Sequence, residues 1–306
     1  MKLSVIIPIY NVSAYIERCV RSLMLQTLTE GIEYLFINDC SPDDSMQKLQ
    51  QVLNEYPHRR DQVRIIEMER NSGQAAVRTR GIKEARGEYI IHCDSDDWVE
   101  PVMYDSLIKK AIETDADIVS SAAYVHRKDG VSIQKEPYEE VTGQTIMRNL
   151  WQTPCLSVAL WNKVVRRSIF MDNQIFPFEG INVGEDSGLM LRVFYHAKKI
   201  ICLDNAFYHY DLTRETSISH RKKEERWQDA KRVITLVDEY YQKKTDYKDF
   251  LLGLSFLKFQ FKTDFIFDKG NLREWKNTFP EVNHDILKFR LLPLKTRLVY
   301  LYYCYA

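Results

Sequence analysis

The first 120 residues alternate short apolar runs with stretches in which apolar residues recur every three or four positions. The run from Leu3 to Ile9 is almost entirely apolar, which is typical of a strand buried on both faces of a parallel sheet. Ser13 then serves as a candidate N-cap for a first helix. The same patterns predict three more strands and three more helices, at residues 34–38, 63–68 and 89–92, and at residues 46–53, 75–85 and 102–114. This alternation predicts βαβ crossovers and a doubly wound α/β sheet.

The pattern changes beyond residue 120. Residues 121–220 are mixed in character, and one helix is predicted there over residues 186–197. From residue 221 onward the apolar residues follow helical spacing, first over 227–241 and then over 247–267. The sequence therefore predicts a helical region after the α/β part of the chain.

Composition narrows the classes of function. The 306 residues suit one large domain or two ordinary ones. Lys plus Arg (43) balances Asp plus Glu (43), so we expect no nucleic-acid partner. Six scattered cysteines without a CxxC pair are typical of reduced thiols, and no apolar run of about 18 residues is present to span a bilayer. We therefore expect a cytoplasmic protein.

Polar residues follow each of the four predicted strands, at residues 10–11, 39–45, 71–73 and 94–97. Open α/β sheets bind ligands beyond the carboxyl ends of their strands, so these clusters predict one shared crevice. Asp94 and Asp96 are two apart and point the same way in an extended chain. Such a pair suits Mg²⁺ or Mn²⁺, whose coordination shell is then completed by water and by oxygens of a substrate phosphate. The alternative is an acidic helix start that favours the helix dipole.

A diphosphate in this crevice needs positive charge. The chain has no GxGxxG after its first strand and no GxxxxGK[ST], so backbone phosphate cradles of those kinds are not predicted. A divalent ion together with Arg78, Arg80 or Lys163 could neutralise the diphosphate. For Arg80 a solvated helix face is the preferred interpretation.

Six blocks in this order resemble family-2 inverting glycosyltransferases of the GT-A fold: VIIPIYN (5–11), INDCSPDDS (37–45), NSGQAAVRTRG (71–81), ARGEYIIHCDSDDWV (85–99), WNKVVRR (161–167) and GEDSGLMLRVF (184–194). The resemblance implies a GT-A nucleotide-binding fold with a doubly wound, mostly parallel sheet, followed by a C-terminal helical region. It divides the chain into a catalytic domain over 1–220 and helices over 221–306. The donor half covers about 1–120 and the acceptor half about 121–220.

The resemblance also implies roles for individual residues. Asp186 matches the catalytic base, with Glu185 in a supporting or acceptor-binding role. Asp94 and Asp96 occupy the DxD motif that binds Mn²⁺ or Mg²⁺. Asp39 would accept a hydrogen bond from the imide N–H of the base. The full set assigned to nucleotide-sugar binding is Pro8, Tyr10, Asn11, Asp39, Asn71, Gly73, Arg78, Asp94, Ser95 and Lys163.

Three further residues lie outside the six quoted blocks. His209 is interpreted as structural in preference to a third metal ligand. A separate hypothesis is that a loop containing Arg214 and Ser217 closes over the diphosphate.

The activity implied is the metal-dependent, inverting transfer of a sugar from a nucleotide-sugar donor, a UDP-sugar by preference. The acceptor would be a glycan or a lipid-linked sugar in polysaccharide or surface-glycan synthesis. Two alternatives stay open: a non-catalytic nucleotide-sugar binding protein and a sugar-1-phosphate nucleotidyltransferase. The second needs a Gly-rich basic loop after the first strand, where this chain has PIYNVSAY.

The tail over residues 291–305 is basic and aromatic. Packing on the rest of the chain or contacts within a homo-oligomer would account for it. Peripheral contact with the inner face of an anionic membrane is the alternative.

Overall fold

A computed structural model of the chain describes residues 1–181, 183–213, 223–265, 267 and 271–305. Arg214 and Ser217, for which a closing loop was predicted, lie outside the described residues. The predicted domain boundary at 220 also lies outside them.

The first half of the chain forms the predicted sheet. Its strands are β1 (Leu3–Ile9), β2 (Ile32–Asn38), β3 (Val63–Glu67) and β4 (Tyr89–His92). They lie in the order β3-β2-β1-β4, and every pair is parallel. The helices between and after them are α1 (Ile16–Met24), α2 (Ser45–Asn54), α3 (Gln74–Glu84) and α4 (Met103–Thr114). Helix α3 packs into the core on one face of the sheet, and the others pack on the opposite face. The doubly wound α/β prediction is confirmed.

The start of α1 differs from the prediction. Helix α1 begins at Ile16, and Tyr15 occupies the N-cap position without a side-chain cap. Ser13 was predicted as the cap, and that prediction is wrong. The Ser13 hydroxyl instead donates to Asp44 and its backbone N–H donates to Asp43 Oδ2 at 2.9 Å, so the residue joins the turn after β1 to the turn after β2.

The chain after β4 extends the same sheet. The added strands are β5 (Trp98–Val99), β6 (Ile118–Arg127), β7 (Gly130–Gln134), β8 (Glu140–Val141), β9 (Lys163–Arg166) and β10 (Ile200–Asp211). The full order is β3-β2-β1-β4-β9-β6-β10-β5, with β7 paired to β6 and β8 paired to β10. Strand β9 is antiparallel to both neighbours, whereas the two longest ladders, β1 with β2 and β6 with β10, are parallel.

Strand β10 has no counterpart among the sequence predictions. Its register against β6 shifts twice, between Leu203 and Ala206 and between Ala206 and Tyr208. Each irregularity interrupts the alternation of inward and outward side chains, which is the pattern by which a strand is recognised in sequence.

The remaining helices are α5 (Gly143–Asn149), α6 (Arg167–Asp172), α7 (Glu185–His196), α8 (Lys223–Gln242), α9 (Leu251–Phe265), α10 (Leu272–Asn277) and α11 (Leu294–Tyr305). Helix α7 confirms the helix predicted over 186–197. Helices α8 and α9 share one apolar core with α5 and α7. At Gly253 a Cβ atom would lie 1.9 Å from the Met147 carbonyl oxygen, so α9 approaches α5 closely because the residue there is glycine. Among the described residues, no helix has the length and apolar character needed to cross a bilayer.

Candidate active site

The turns after β1, β2 and β3 meet at the carboxyl edge of the sheet, and Asp39 connects two of them. Its Oδ1 accepts the Ser72 N–H at 2.8 Å and its Oδ2 accepts the Gly73 N–H at 2.9 Å. Asn71 Nδ2 donates to the Asp39 carbonyl oxygen at 3.3 Å. Gly73 has φ of +82° and precedes the first turn of α3, a conformation that favours glycine. Asp39 therefore holds the 71–73 loop in place.

The turn after β1 supplies the adjacent wall. Pro8 is half-buried at the end of β1, and Tyr10 is exposed. Asn11 has φ of +53°, and its N–H donates to Ser41 Oγ at 2.9 Å, so this turn is tied to the turn that begins at Asp39. The structure thus brings Tyr10, Asn11 and Asp39 to one edge, and the binding of a nucleoside there stays a prediction.

Arg78 lies at the centre of a buried charge cluster. Its Nη2 lies 2.8 Å from Asp94 Oδ1, and its Nε lies 3.4 Å from Glu185 Oε1. Burial disfavours the guanidinium charge, but the nearby carboxylates of Asp94, Glu185 and Asp186 outweigh it and raise the pKa of Arg78. The guanidinium therefore joins helix α3, the end of β4 and the start of α7.

Glu185 and Asp186 occupy the first turn of α7 but differ in exposure. Glu185 is buried against Arg78, while Asp186 is half-buried beside it. Burial, together with the charge of Asp186, raises the pKa of Glu185 to about 8, although Arg78 opposes the shift. Asp186 Oδ1 accepts the Ser187 N–H at 2.7 Å, which orients the carboxylate. Of the two acids, Asp186 is the one a substrate can reach.

The acidic string after β4 holds three carboxylates in different settings. Asp94 is paired with Arg78 and its side chain stays 23% exposed, and the carbonyl oxygen of Asp96 accepts Arg18 Nη2 at 2.9 Å. In the part of the chain that the structure describes, no group of three or more His, Cys, Asp or Glu side chains is arranged to hold a metal ion. Two accessible carboxylates nonetheless fit Mg²⁺ or Mn²⁺, whose other ligands are water and phosphate oxygens.

Asp97 is a structural member of the string. Its Oδ2 accepts the Tyr208 hydroxyl at 2.8 Å and its Oδ1 accepts the Asp211 N–H at 2.9 Å. Burial raises the pKa of Asp97 well above its usual range, and Asp96 and Asp94 raise it further. The Tyr208 hydroxyl also accepts the Asp94 N–H at 3.1 Å, so strand β10 holds the acidic string in position through hydrogen bonds at both of its ends.

Sequence reasoning missed Tyr208, Arg18 and the role of Asp97. Arg18 donates to the Asp96 carbonyl and to Asp211 Oδ2, and its guanidinium lies 3.7 Å above the centre of the Trp98 ring. These contacts join distant segments of the chain. No local spacing in the sequence marks them.

Lys163 and Ser95, both assigned to donor binding, are buried. The Lys163 ammonium donates to the Ala159 carbonyl and to Asn162 Oδ1, and burial lowers the pKa of Lys163, against the attraction of Glu136. In this conformation Lys163 is engaged by the protein, so its contact with a diphosphate stays a prediction.

His209 makes protein contacts through both ring nitrogens. Nε2 lies 2.9 Å from Glu100 Oε1 and Nδ1 lies 2.9 Å from His126 Nε2. The ring also stacks between Trp98 and Tyr124. These contacts agree with the structural interpretation of His209.

A family model settles the class of protein. The model described as "Glycosyl transferase family 2" matches residues 4–173, which is more than half of the chain. The chain belongs to glycosyl transferase family 2. The matched segment contains the turns after β1 to β4, together with Arg78, Asp94 and Asp96. It ends before α7.

Two curated relatives align with more than two thirds of this chain. The "uncharacterized glycosyltransferase EpsJ" of Bacillus subtilis is 32% identical over 219 residues, 68% of this chain and 60% of EpsJ. The "uncharacterized glycosyltransferase YibD" of Escherichia coli is 32% identical over 230 residues, 72% of this chain and 64% of YibD. This chain therefore spans less than two thirds of either relative.

A solved structure shares the fold. Staphylococcus aureus TarS in complex with UDP superimposes with a TM-score of 0.74 at 22% identity, over 99% of this chain and 87% of that chain. TarS, named a poly(ribitol-phosphate) β-N-acetylglucosaminyltransferase, is 26% identical by sequence over 227 residues, which cover 70% of this chain and 36% of TarS. The structural match confirms the predicted GT-A fold, including the C-terminal helices.

Proposed function

We propose that this family-2 glycosyltransferase is a metal-dependent, inverting enzyme that transfers a sugar from a UDP-sugar to a glycan or lipid-linked acceptor. The observation that carries the proposal is the Arg78 cluster, in which one buried guanidinium joins Asp94 of the acidic string to Glu185 of α7. It brings a candidate site for the donor diphosphate and a reachable carboxylate, Asp186, to one edge of the sheet.

Inversion at the anomeric carbon requires one base and one leaving group on opposite faces of the sugar. The acceptor hydroxyl oxygen attacks the anomeric carbon, the bond from that carbon to the diphosphate oxygen breaks, and the electron pair leaves with the diphosphate. Asp186 takes the hydroxyl proton, a contribution of about 10² to 10⁴ in rate. Glu185 touches neither substrate in this scheme. It positions α7 through Arg78.

Asp94 and Asp96 are the residues that would hold Mn²⁺ or Mg²⁺. Bound there, the ion supplies positive charge that stabilises the departing diphosphate. The structurally similar TarS was solved with UDP, which supports a uridine donor for this chain. The name of TarS, a poly(ribitol-phosphate) β-N-acetylglucosaminyltransferase, supports a polymer as the class of acceptor.

The test begins with UDP-, GDP- and dTDP-sugars, each incubated with Mn²⁺ or with EDTA, and measures release of free nucleotide. We expect release from a UDP-sugar with Mn²⁺ and little with EDTA. Asp186→Asn should abolish release and leave UDP binding intact. Asp129→Asn, at an exposed turn between β6 and β7, is the matched control and should keep full activity.

Three outcomes would contradict the proposal. Binding of nucleotide sugars without transfer or hydrolysis would support the non-catalytic alternative. Formation of a nucleotide sugar from a sugar 1-phosphate and a nucleoside triphosphate would support the nucleotidyltransferase alternative. Full turnover by Asp186→Asn would remove Asp186 from the role of base.

A further inference from the structure

Helix α11 has two apolar faces, of which one is packed. Tyr300 lies against Phe259, Phe267 and Trp275, with ring centres 5.1 to 5.8 Å apart, and Tyr303 lies against Phe267 at 5.5 Å. These contacts attach the helix to the core formed by α9 and α10. This packing explains the apolar side chains on the inner face of α11 but not those on the opposite face.

The opposite face carries large apolar side chains in water. Leu294, Leu298, Tyr302 and Tyr305 are 59%, 51%, 66% and 68% exposed. Their spacing of four, four and three residues places them in one stripe along the helix. A helix on a protein surface normally has polar residues on its outer side, so this stripe indicates a face that contacts something other than water.

The sequence around the stripe is basic. From residue 286 to residue 306 it contains no Asp or Glu and four cations, Lys288, Arg290, Lys295 and Arg297, although the whole chain is balanced. Lys288 pairs with Asp285 at 2.8 Å, so its charge is compensated, whereas Arg297 donates to an uncharged group, the Leu287 carbonyl oxygen. Lys295 and Arg297 are one and three residues after Leu294, so with about 3.6 residues per turn they lie on either side of the stripe. An apolar stripe with cationic borders complements an anionic lipid surface, where side chains enter the interface and cations meet headgroup phosphates.

We propose that the outer face of α11 binds the surface of a bilayer that contains anionic lipids. A second copy of this chain fits the face less well. Symmetric pairing through the stripe would bring the same cations together from both copies, and this segment offers no carboxylate to compensate them. The proposal rests on α11 alone and holds or fails independently of the glycosyl transfer.

Flotation of the full chain with lipid vesicles tests the proposal. One set of vesicles mixes phosphatidylglycerol and phosphatidylcholine in equal parts, and the other is phosphatidylcholine alone. We expect binding to the anionic vesicles that weakens as salt is raised, and little binding to the neutral ones. The pair Leu294→Gln and Leu298→Gln should lose at least about tenfold in partition because two apolar side chains leave the interface.

Charge and folding need their own variants. Lys295→Gln with Arg297→Gln should weaken binding to anionic vesicles about 25-fold, at about fivefold per cation. If that pair fails to fold, as judged by its thermal melt, Lys295→Gln alone should still weaken binding about fivefold. Val131→Gln with Ile133→Gln is the matched control, because both residues are exposed and apolar but lie on β7. This control should bind as the unaltered chain does.

Two results would overturn the proposal. One is that the chain does not float with anionic vesicles at any salt concentration, and the other is that the α11 variants bind these vesicles as well as the β7 control does. A dimer seen by analytical ultracentrifugation and lost on Leu298→Gln, without vesicle binding, would assign the face to a second copy instead.

Discussion

Arg78 donates a hydrogen bond of 2.8 Å from Nη2 to Asp94 Oδ1, and this bond joins helix α3 to the acidic string after β4. The Nε of the same guanidinium lies 3.4 Å from Glu185 at the start of α7. A single buried cation therefore holds together segments from the two halves of the candidate site. It balances carboxylates that would otherwise repel one another.

Replacing Arg78 should destabilise the fold as well as the site. Arg78→Met removes the cation and leaves Asp94 and Glu185 without their partner. Breaking a buried ion pair by removing one member costs about 3–5 kcal/mol. We expect a fall of that size in the free energy of unfolding, measured by urea denaturation, together with loss of nucleotide release.

The control for Arg78 lies on the same helix. Arg80 is half-exposed and pairs with Glu84 at 3.0 Å along the surface of α3, so Arg80→Met should change the free energy of unfolding by less than about 1 kcal/mol. Equal losses from the two substitutions would show that the buried pairs of Arg78 contribute nothing beyond an ordinary surface contact.

Glu185 should give the protein a distinct pH dependence. Its folded pKa is raised to about 8, so between its ordinary value and pH 8 the folded state binds a proton that the unfolded state has released. The contribution of Glu185 to the free energy of unfolding is therefore largest at low pH and is lost as pH rises through about 8. In Glu185→Gln this pH-dependent loss of stability is absent. The measurement is the difference in melting temperature between the two proteins across pH 5 to about 9.

Glu179→Gln provides the comparison, since Glu179 is an exposed acid in the segment before α7. It should keep the pH dependence of the unaltered protein. A difference between the unaltered protein and Glu185→Gln that is constant over the whole pH range would mean that Glu185 does not titrate there.

Strands β1, β2 and β4 could be predicted because each is a short, mainly apolar run buried on both sides, and such runs stand out in a sequence. Strand β3 lies at the edge of the sheet and is half-buried or exposed, but its Val63, Ile65 and Ile66 still mark it as a strand. The same reasoning pointed to Asp94 and Asp96 at the end of a strand, whereas Asp186 was assigned from the family resemblance. The order of the sheet beyond β4 was not predictable. Strand β10 has register shifts, and β9 inserts antiparallel between β4 and β6 through contacts distant in sequence.

The sequence also could not reveal the position of the Arg78 guanidinium. Arg78 lies in a helix next to Thr79 and Arg80, and this local sequence would be equally compatible with an arginine exposed to solvent. Only the fold shows that it is buried between Asp94 and Glu185. Asp97 is a similar case, since its neighbours in the string suggest a metal ligand while Tyr208 and Asp211 fix it in a structural role.

Asp96 should affect donor binding only when metal is present. If Asp94 and Asp96 bind a divalent ion, UDP with Mn²⁺ stabilises the folded chain more than UDP with EDTA does. Asp96→Ala should reduce the affinity for UDP with Mn²⁺ by about tenfold or more and leave the affinity in EDTA unchanged. Isothermal titration calorimetry of UDP under both conditions makes the comparison.

Asp105→Ala is the control for Asp96. Asp105 pairs with Lys109 on α4, away from the crevice, and its replacement should alter neither affinity. If Asp96→Ala weakened UDP binding equally with and without Mn²⁺, Asp96 would act on the nucleotide directly and not through a metal ion.

Asp39 should affect nucleotide binding with or without metal. Its two carboxylate oxygens accept the N–H groups of Ser72 and Gly73, and an asparagine offers one oxygen and one amide nitrogen in their place. In Asp39→Asn, one of these backbone N–H groups faces the amide N–H₂ of the asparagine and has no acceptor. This lowers the free energy that holds the 71–73 loop in place by about 1–3 kcal/mol, so the loop becomes more mobile. We expect weaker UDP binding in both Mn²⁺ and EDTA and faster hydrogen exchange at Ser72 and Gly73, while Asp61→Asn, at an exposed position of the 3-10 helix before β3, changes neither. Unchanged exchange at both amides would mean that Asp39 does not hold the loop, and any loss of affinity would then belong to its contact with the base.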